Sequence, residues 1–189
     1  FDRVYEIAQQ AKRLPEIERF AADAPVFIAG STWPPDEELL VGLIERYPDV
    51  KFIVAPHEID PARIEKFCER ISRPALRYTQ LTPQSDLAAA GVLFVDTIGI
   101  LSSVYRYGRW GYIGGGFGAG IHNTLEAATF GLPLAFGPRY GKFREARDLV
   151  TLRGAASIAS AEELERWFAG LHDDPDATGR SGTICKEYV

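Results

Sequence analysis

Residues 110–138 read WGYIGGGFGAGIHNTLEAATFGLPLAFGP, and the order of residue types in that stretch decides the fold. An apolar run of strand length comes first, followed by a window rich in glycine (Gly114, Gly115, Gly116, Gly118). A helix-length segment then opens at His122-Asn123 and carries Glu126, and a second apolar run follows. Strand, glycine turn, helix and strand in that order describe a parallel β-α-β unit. The glycines also let backbone N–H groups approach an anion closely, and a helix N-terminus behind them adds the positive end of its dipole.

The same unit recurs on both sides. Apolar runs at 25–31, 51–56, 75–81, 92–97 and 155–159 are each bounded by turn residues. Helical spacing of apolar side chains follows at 61–71, 100–107, 143–152 and 161–171, and Leu39, Leu40, Leu43 and Ile44 lie at such spacing after the first run. The runs are continuously apolar, with no alternation, as in strands buried on both faces. Six or seven such units imply an α/β fold, a Rossmann-like doubly wound parallel sheet of about six strands with helices on both faces. Residues 1–22 read as a linker or N-terminal helical segment with a break at Leu14-Pro15, and residues 23–189 as the sheet domain. A chain of 189 residues fits one such domain. It opens at Phe1 without an initiator methionine and ends inside an amphipathic pattern, so both ends read as cut from a longer protein.

Composition narrows the partner class. A formal charge of −5 argues against nucleic acid, which selects a basic face. Cys68 and Cys185 stand in no metal-ligand or redox spacing, which suits a reducing compartment. His57, His122 and His172 form no metal set, and no acidic DxD-type pair lies near the glycine loop, so no metal is expected. No apolar run approaches the roughly 18 residues of a membrane span, and the piece reads as soluble.

Ligands of doubly wound sheets sit beyond the carboxyl ends of the strands, where four loops stand out: residues 30–33 (GSTW), 55–58 (APHE), 96–99 (DTIG) and 114–126, the glycine loop running into HNTLE. Each has a plainer reading. Ser31 or Thr32 reads equally as a helix cap, Asp96-Thr97 likewise, and Pro56-His57 as a strand end followed by a surface histidine. Asn123 and Glu126 stand three apart as in a capping box. Against that, a carboxylate one turn into the helix is placed to accept both hydroxyls of a ribose. The window GGGFGA (114–119) also matches a loose dinucleotide-binding fingerprint, but that motif belongs after the first strand and this one follows a late strand. A nucleotide held by ribose and phosphate in the second half of the sheet suits a sugar-nucleotide site instead.

APHE, VDTIGIL, the block from Ile113 to Pro138 and the opening FDRV together resemble the C-terminal half of the 3-deoxy-D-manno-octulosonic acid (Kdo) transferases, glycosyltransferases of the GT-B fold that modify lipid A. The resemblance spans most of the chain. It implies one half of a GT-B fold that binds the donor CMP-Kdo, with no cofactor. The acceptor, a lipid A precursor, would be held by a membrane-associated N-terminal domain absent from this chain and lying at the cytoplasmic face of a Gram-negative inner membrane. Carried over by position, the nucleotide site would comprise Pro56, His57, Ile98, Gly99, Ile100, Asn123, Thr124, Leu125 and Glu126. Ser31, Gly114, Gly115, Gly116 and the rest of the loop to Gly118 would line the same cleft. The general base would be a carboxylate of the missing domain, so this piece would bind nucleotide without turnover. Two departures stand out: Pro56-His57-Glu58 replaces the family's Pro-Arg-His, and Ile100 replaces an acidic residue. Arg139 or Lys142, in a basic stretch with Arg144 and Arg147, would then meet the sugar carboxylate, an alternative to a solvated basic helix face. A domain of a UDP-sugar-dependent GT-B glycosyltransferase or epimerase, or a nucleotide-binding module without catalysis, are the competing readings.

Overall fold

The computed structural model of the chain describes Glu6 and residues 12–189. Of the helix expected over 3–22, the described part is α1 (Pro15–Phe20), opened by Pro15 in its first turn. The stretch 3–11, Glu6 apart, lies outside the described residues. Strands and helices then alternate: β1 (Val26–Thr32), α2 (Pro34–Arg46), β2 (Lys51–Pro56), α3 (Pro61–Glu69), β3 (Ala75–Arg77), β4 (Val92–Phe94), α4 (Leu101–Val104), β5 (Trp110–Ile113), α5 (Leu125–Thr129), β6 (Leu134–Phe136), α6 (Arg144–Leu152), β7 (Ala155–Ser157), α7 (Ala161–His172) and α8 (Pro175–Tyr188). All pairings are parallel, in the order β3-β4-β2-β1-β5-β6-β7.

The sheet has seven strands where about six were expected. The additional one is the short run at β7, which pairs with β6 as an edge strand. The strand expected over 75–81 stops at Arg77 because the carboxylate of Asp96 accepts both the N–H of Thr79 (2.8 Å) and its hydroxyl (2.6 Å), turning the chain into a 3₁₀ turn at Tyr78–Gln80. Asp96 therefore does not cap the helix that follows it.

Continuous burial of the strands divides side chains between two cores, as the two-residue period requires. Val26 and Ile28 of β1, Ile53 of β2, Ile113 of β5 and Leu134 of β6 face one layer. There they meet Ile17 and Phe20 of α1, Ala127 of α5, Leu149 of α6 and Cys185 of α8. Phe27, Phe52, Val54, Trp110 and Tyr112 face the other, against Leu40 and Leu43 of α2, Phe67 of α3 and Phe168 of α7. Lys51 is buried at the start of β2, where Nζ donates to the carbonyls of Phe20 (3.0 Å) and Leu87 (2.8 Å) and lies over the Phe20 ring. A cation at the C-terminal carbonyls of α1 binds that helix to the sheet. Both cysteines are free thiols. Among the described residues no helix is long and apolar enough to cross a membrane.

Candidate functional site

The sheet order reverses between β1 and β5, so their carboxyl ends form the crevice in which open α/β sheets take ligands. From β1 come Gly30 and Ser31, and from β5 the glycine loop. Ser31 is the bulged residue of β1: pairing with β2 passes from Gly30 to Thr32, and Ser31 adopts φ 54°. A non-glycine residue in this left-handed region is sparsely populated and tends to mark functional turns. Neither Ser31 nor Thr32 caps α2. The N-cap is Trp33, whose N–H donates to Asp36 (2.9 Å), while the Thr32 hydroxyl donates to Glu37 (3.0 Å). Glu37 also accepts from Arg63 (3.2 Å), and burial raises its pKa in spite of that guanidinium.

The glycines are demanded first by the chain's own backbone. A Cβ on Gly114 would fall 2.1 Å from the Ser31 carbonyl, and one on Gly116 2.6 Å from Gly137. Gly115 combines φ 97° with a Cβ position 2.3 Å from the Gly120 carbonyl. The loop is thereby folded on itself, and most of its donors are engaged. The N–H groups of Gly118 and Gly120 reach the Gly115 carbonyl, that of Ile121 reaches Arg139, and that of His122 reaches Gly114. Gly115 donates to Asp36 (3.1 Å). Among the described residues, the N–H groups of Gly116, Phe117 and Ala119 have no protein acceptor, so they are the donors left for an anion.

Three rings stack across the crevice. Trp33 and His57 lie 4.8 Å apart between centroids, and His57 and His122 4.2 Å apart, with interplanar angles of 27° and 18°. The indole Nε1–H of Trp33 donates to Nε2 of His122 at 3.0 Å. Burial first, then the neighbouring His57, lower the pKa of His122. Beside this stack a cavity of about 370 Å³ is walled by Trp33, Pro34, Pro35, Phe117, Ala119 and His122, within the size range of small-molecule sites. Another hollow, of about 340 Å³ between Arg109, Gly131 and Gly182, lies at the amino end of β5, away from the crevice.

At the entry to α5 only half of the expected capping box forms. Asn123 Oδ1 accepts the N–H groups of Leu125 (2.8 Å) and Glu126 (3.4 Å), which is ordinary capping. Glu126 makes no reciprocal bond. Its carboxylate is half-buried, without a hydrogen-bond partner among the described residues, and burial raises its pKa. The adjacent Thr124 hydroxyl is fully buried and also lacks a partner. Close to Glu126 is Tyr105, whose phenol pKa is raised by burial and then by the Glu126 charge. Its hydroxyl occupies the space a Cβ on Gly30 would need.

The structure brings together Ser31, His57, Gly114, Gly115 and His122, and Pro56 pairs with Thr32 at the end of β2. Ile98 and Gly99 lie on the loop after β4, which leads into α4, whose Leu101 side chain approaches Gly30 of the crevice. Ile98 is 87% exposed and Gly99 (φ 94°) has open space where a Cβ would sit, while Ile100 is half-buried at the start of α4. Arg139 does not extend freely, because its guanidinium donates to the Gly118 carbonyl (2.6 Å) and steadies the glycine loop. Lys142 is exposed. Sequence reasoning did not single out Trp33, Asp36 and Tyr105. Trp33 stood inside the quoted GSTW loop and carried the one available signal, an aromatic ring at a strand end.

No family model matches the chain. A 3-deoxy-D-manno-octulosonic acid transferase of Rickettsia bellii is 30% identical over 155 residues, 78% of this chain and 36% of that protein. The chain spans 26–37% of the length of the curated relatives it matches. Among solved structures, the C-terminal CMP-Kdo binding domain of WaaA from Acinetobacter baumannii superposes with a TM-score of 0.78 at 20% identity, covering 100% of this chain and 98% of that one. HepE of Anabaena in complex with UDP-glucose superposes at 0.65, with 15% identity, over 95% of this chain and 49% of that one. These likenesses show the fold of one half of a GT-B enzyme, and in sequence the chain is similar to the Kdo transferases, as its APHE, DTIG and HNTLE loops implied.

Proposed function

We propose that the chain is the donor-binding domain, residues 23–189, of a glycosyltransferase that transfers Kdo from CMP-Kdo to a lipid A precursor, with residues 1–22 leading in from an acceptor-binding domain. The observation that carries this reading is Glu126, a half-buried carboxylate in the first turn of α5 without a hydrogen-bond partner among the described residues. A carboxylate left unpaired in a half-dry site is unfavourable unless a ligand uses it, and a ribose diol offers two donors to its two oxygens. The Gly116 and Phe117 N–H groups would meet the phosphate, and Thr124 and Ser31 would add hydroxyls.

In such a reaction an acceptor hydroxyl attacks the anomeric carbon, the bond to the CMP phosphate breaks, and a base takes the hydroxyl proton. This chain's residues would hold the departing CMP and stabilise its charge. The base, the lipid acceptor and attachment to the inner membrane would belong to the remainder of the parent protein. The chain alone is then expected to bind CMP and to transfer no Kdo.

A UDP-sugar donor is the second reading, favoured by the shared fold with HepE, which was solved with UDP-glucose. Titration calorimetry with CMP and UMP separates the two. Binding of CMP about tenfold tighter than UMP supports the first reading, a preference for UMP the second, and turnover of CMP-Kdo by the chain alone would show that the base lies within it.

A further inference from the structure

We propose that Trp33 is a positioning residue that fixes His122 as a neutral imidazole carrying its proton on Nδ1, so that the ring presents one N–H donor to a phosphate oxygen of the bound nucleotide. This rests on the reading that the β1/β5 crevice takes a nucleotide, and it assigns a role to a residue outside the positions carried over from the Kdo transferases.

The indole N–H can only donate. It points at His122 Nε2 at 3.0 Å, so Nε2 must be the acceptor and bear no hydrogen. A neutral imidazole then holds its proton on Nδ1. Converting the ring to imidazolium would place two donors face to face and break the bond to Trp33. The surroundings act in the same direction. Burial first, and then His57, stacked on the ring at 4.2 Å, hold the His122 pKa below the ordinary histidine value. Asp36 is the acidic group that opposes this, and its oxygens are already engaged by Trp33 N–H, Gly115 N–H and the Tyr112 hydroxyl. The main chain of His122 is anchored through its N–H to the Gly114 carbonyl (3.2 Å), which ties the residue to the first glycine of the loop.

The two nitrogens of an imidazole project from opposite edges, and Nδ1 therefore points away from Trp33. No protein acceptor meets it among the described residues. The Gly116 and Phe117 N–H groups, which also lack protein acceptors among the described residues, belong to the same loop. Several donors without acceptors on one short loop select an anionic oxygen, and of a nucleotide's parts the phosphate is the one that is anionic.

The test begins with the unmodified chain, without ligand. Long-range ¹H–¹⁵N correlation at pH 7 is expected to show His122 with a bare Nε2 and a protonated Nδ1. In Trp33→Phe, which keeps an aromatic ring but removes the donor, the Nε2–H form is expected to appear. Calorimetry with CMP and with cytidine then locates the contact. Trp33→Phe is expected to weaken CMP about tenfold and cytidine less than twofold. His122→Ala is expected to do the same, and the double variant to be no weaker than His122→Ala alone, because Trp33 acts through His122. An Nε2–H or imidazolium form in the unmodified chain would overturn the proposal, as would equal losses for CMP and cytidine or additive effects in the double variant. If the unmodified chain binds no CMP, the phosphate assignment fails together with the proposed function, while the tautomer measurement still decides the Trp33–His122 lock by itself.

Discussion

The carboxylate of Asp36, in the first turn of α2, accepts the N–H of Gly115, the second residue of the glycine loop, at 3.1 Å. The same side chain takes the Trp33 N–H at 2.9 Å and the hydroxyl of Tyr112, which is buried in β5. One buried carboxylate thus joins the end of β1, the start of α2 and the end of β5, the three elements that define the crevice. Asp36→Ala would leave three buried or half-buried donors without a partner. At about 1 kcal/mol or more for each, the expected loss is about 3 kcal/mol, a drop in Tm of about 6–12 °C for a chain of this size. Thermal denaturation followed by circular dichroism checks this, and a shift under 2 °C would show that the loop is held by other means.

Glu126→Gln separates binding from stability. Burial of this carboxylate, which has no hydrogen-bond partner among the described residues, raises its pKa, so the folded chain holds the proton more tightly than the unfolded chain. Its contribution therefore favours folding at low pH and declines as pH rises from the ordinary carboxylate value through the raised one. The amide removes that decline. At pH 7 the variant is expected to melt at or slightly above the parent temperature while CMP affinity falls at least tenfold. Lower stability with intact affinity would instead assign Glu126 to helix capping.

His172 provides a second pH-dependent contact, remote from the crevice. Burial acts against its charge, but hydrogen bonds to Asp173 (2.9 Å) and Asp49 (2.6 Å) outweigh it and raise the pKa. A raised folded pKa stabilises the fold below the ordinary histidine value, and that stabilisation is lost as pH rises through the raised one. Melting temperature is expected to fall between pH 6 and pH 8 by an amount that His172→Gln abolishes. An unchanged slope in the variant would remove the assignment.

Lys51 tests the attachment of α1. Its ammonium satisfies the Phe20 and Leu87 carbonyls, and Lys51→Met would leave both without that donor while keeping the apolar stem. Hydrogen bonds to charged groups contribute about 1.5–3 kcal/mol, reduced here by the burial that lowers the lysine's pKa. A net loss of about 2 kcal/mol by urea titration is expected, with CMP affinity unchanged because the contact lies at the amino end of β2. Unchanged stability would show that α1 is held by Ile17 and Phe20 alone.

Much of this architecture was legible from residue order. The run KFIVAP became β2 at Lys51–Pro56 without adjustment, and the runs at 25–31 and 110–114 became β1 and β5 to within a residue. Strands buried on both faces leave an unmistakable apolar pattern. Short edge elements were less readable. Strand β3 ends early because Asp96 captures Thr79 from 17 residues away, and β7 forms because β6 offers it a free edge.

The site was legible in its loops and not in its contacts. The loops GSTW, APHE and HNTLE could be located because polar residues after successive strands converge at one end of a parallel sheet. What each side chain does there depended on partners distant in sequence. Asp36 reads as an ordinary acidic residue in a first helical turn until Tyr112 and Gly115 arrive beside it. The glycines read as an anion cradle, yet their first requirement is close approach of the chain to itself.

Local composition determined which segments would be strands and helices, and that the chain would form a parallel sheet with its chemistry at one end, because periodicity and turn residues act over a few positions. Only the tertiary structure decided that β1 and β5 are neighbours, that Trp33 reaches His122 across 89 residues, and that Glu126 has no hydrogen-bond partner among the described residues. Such facts depend on strand order, which is set by how all the layers pack together and is written in no single stretch of the chain.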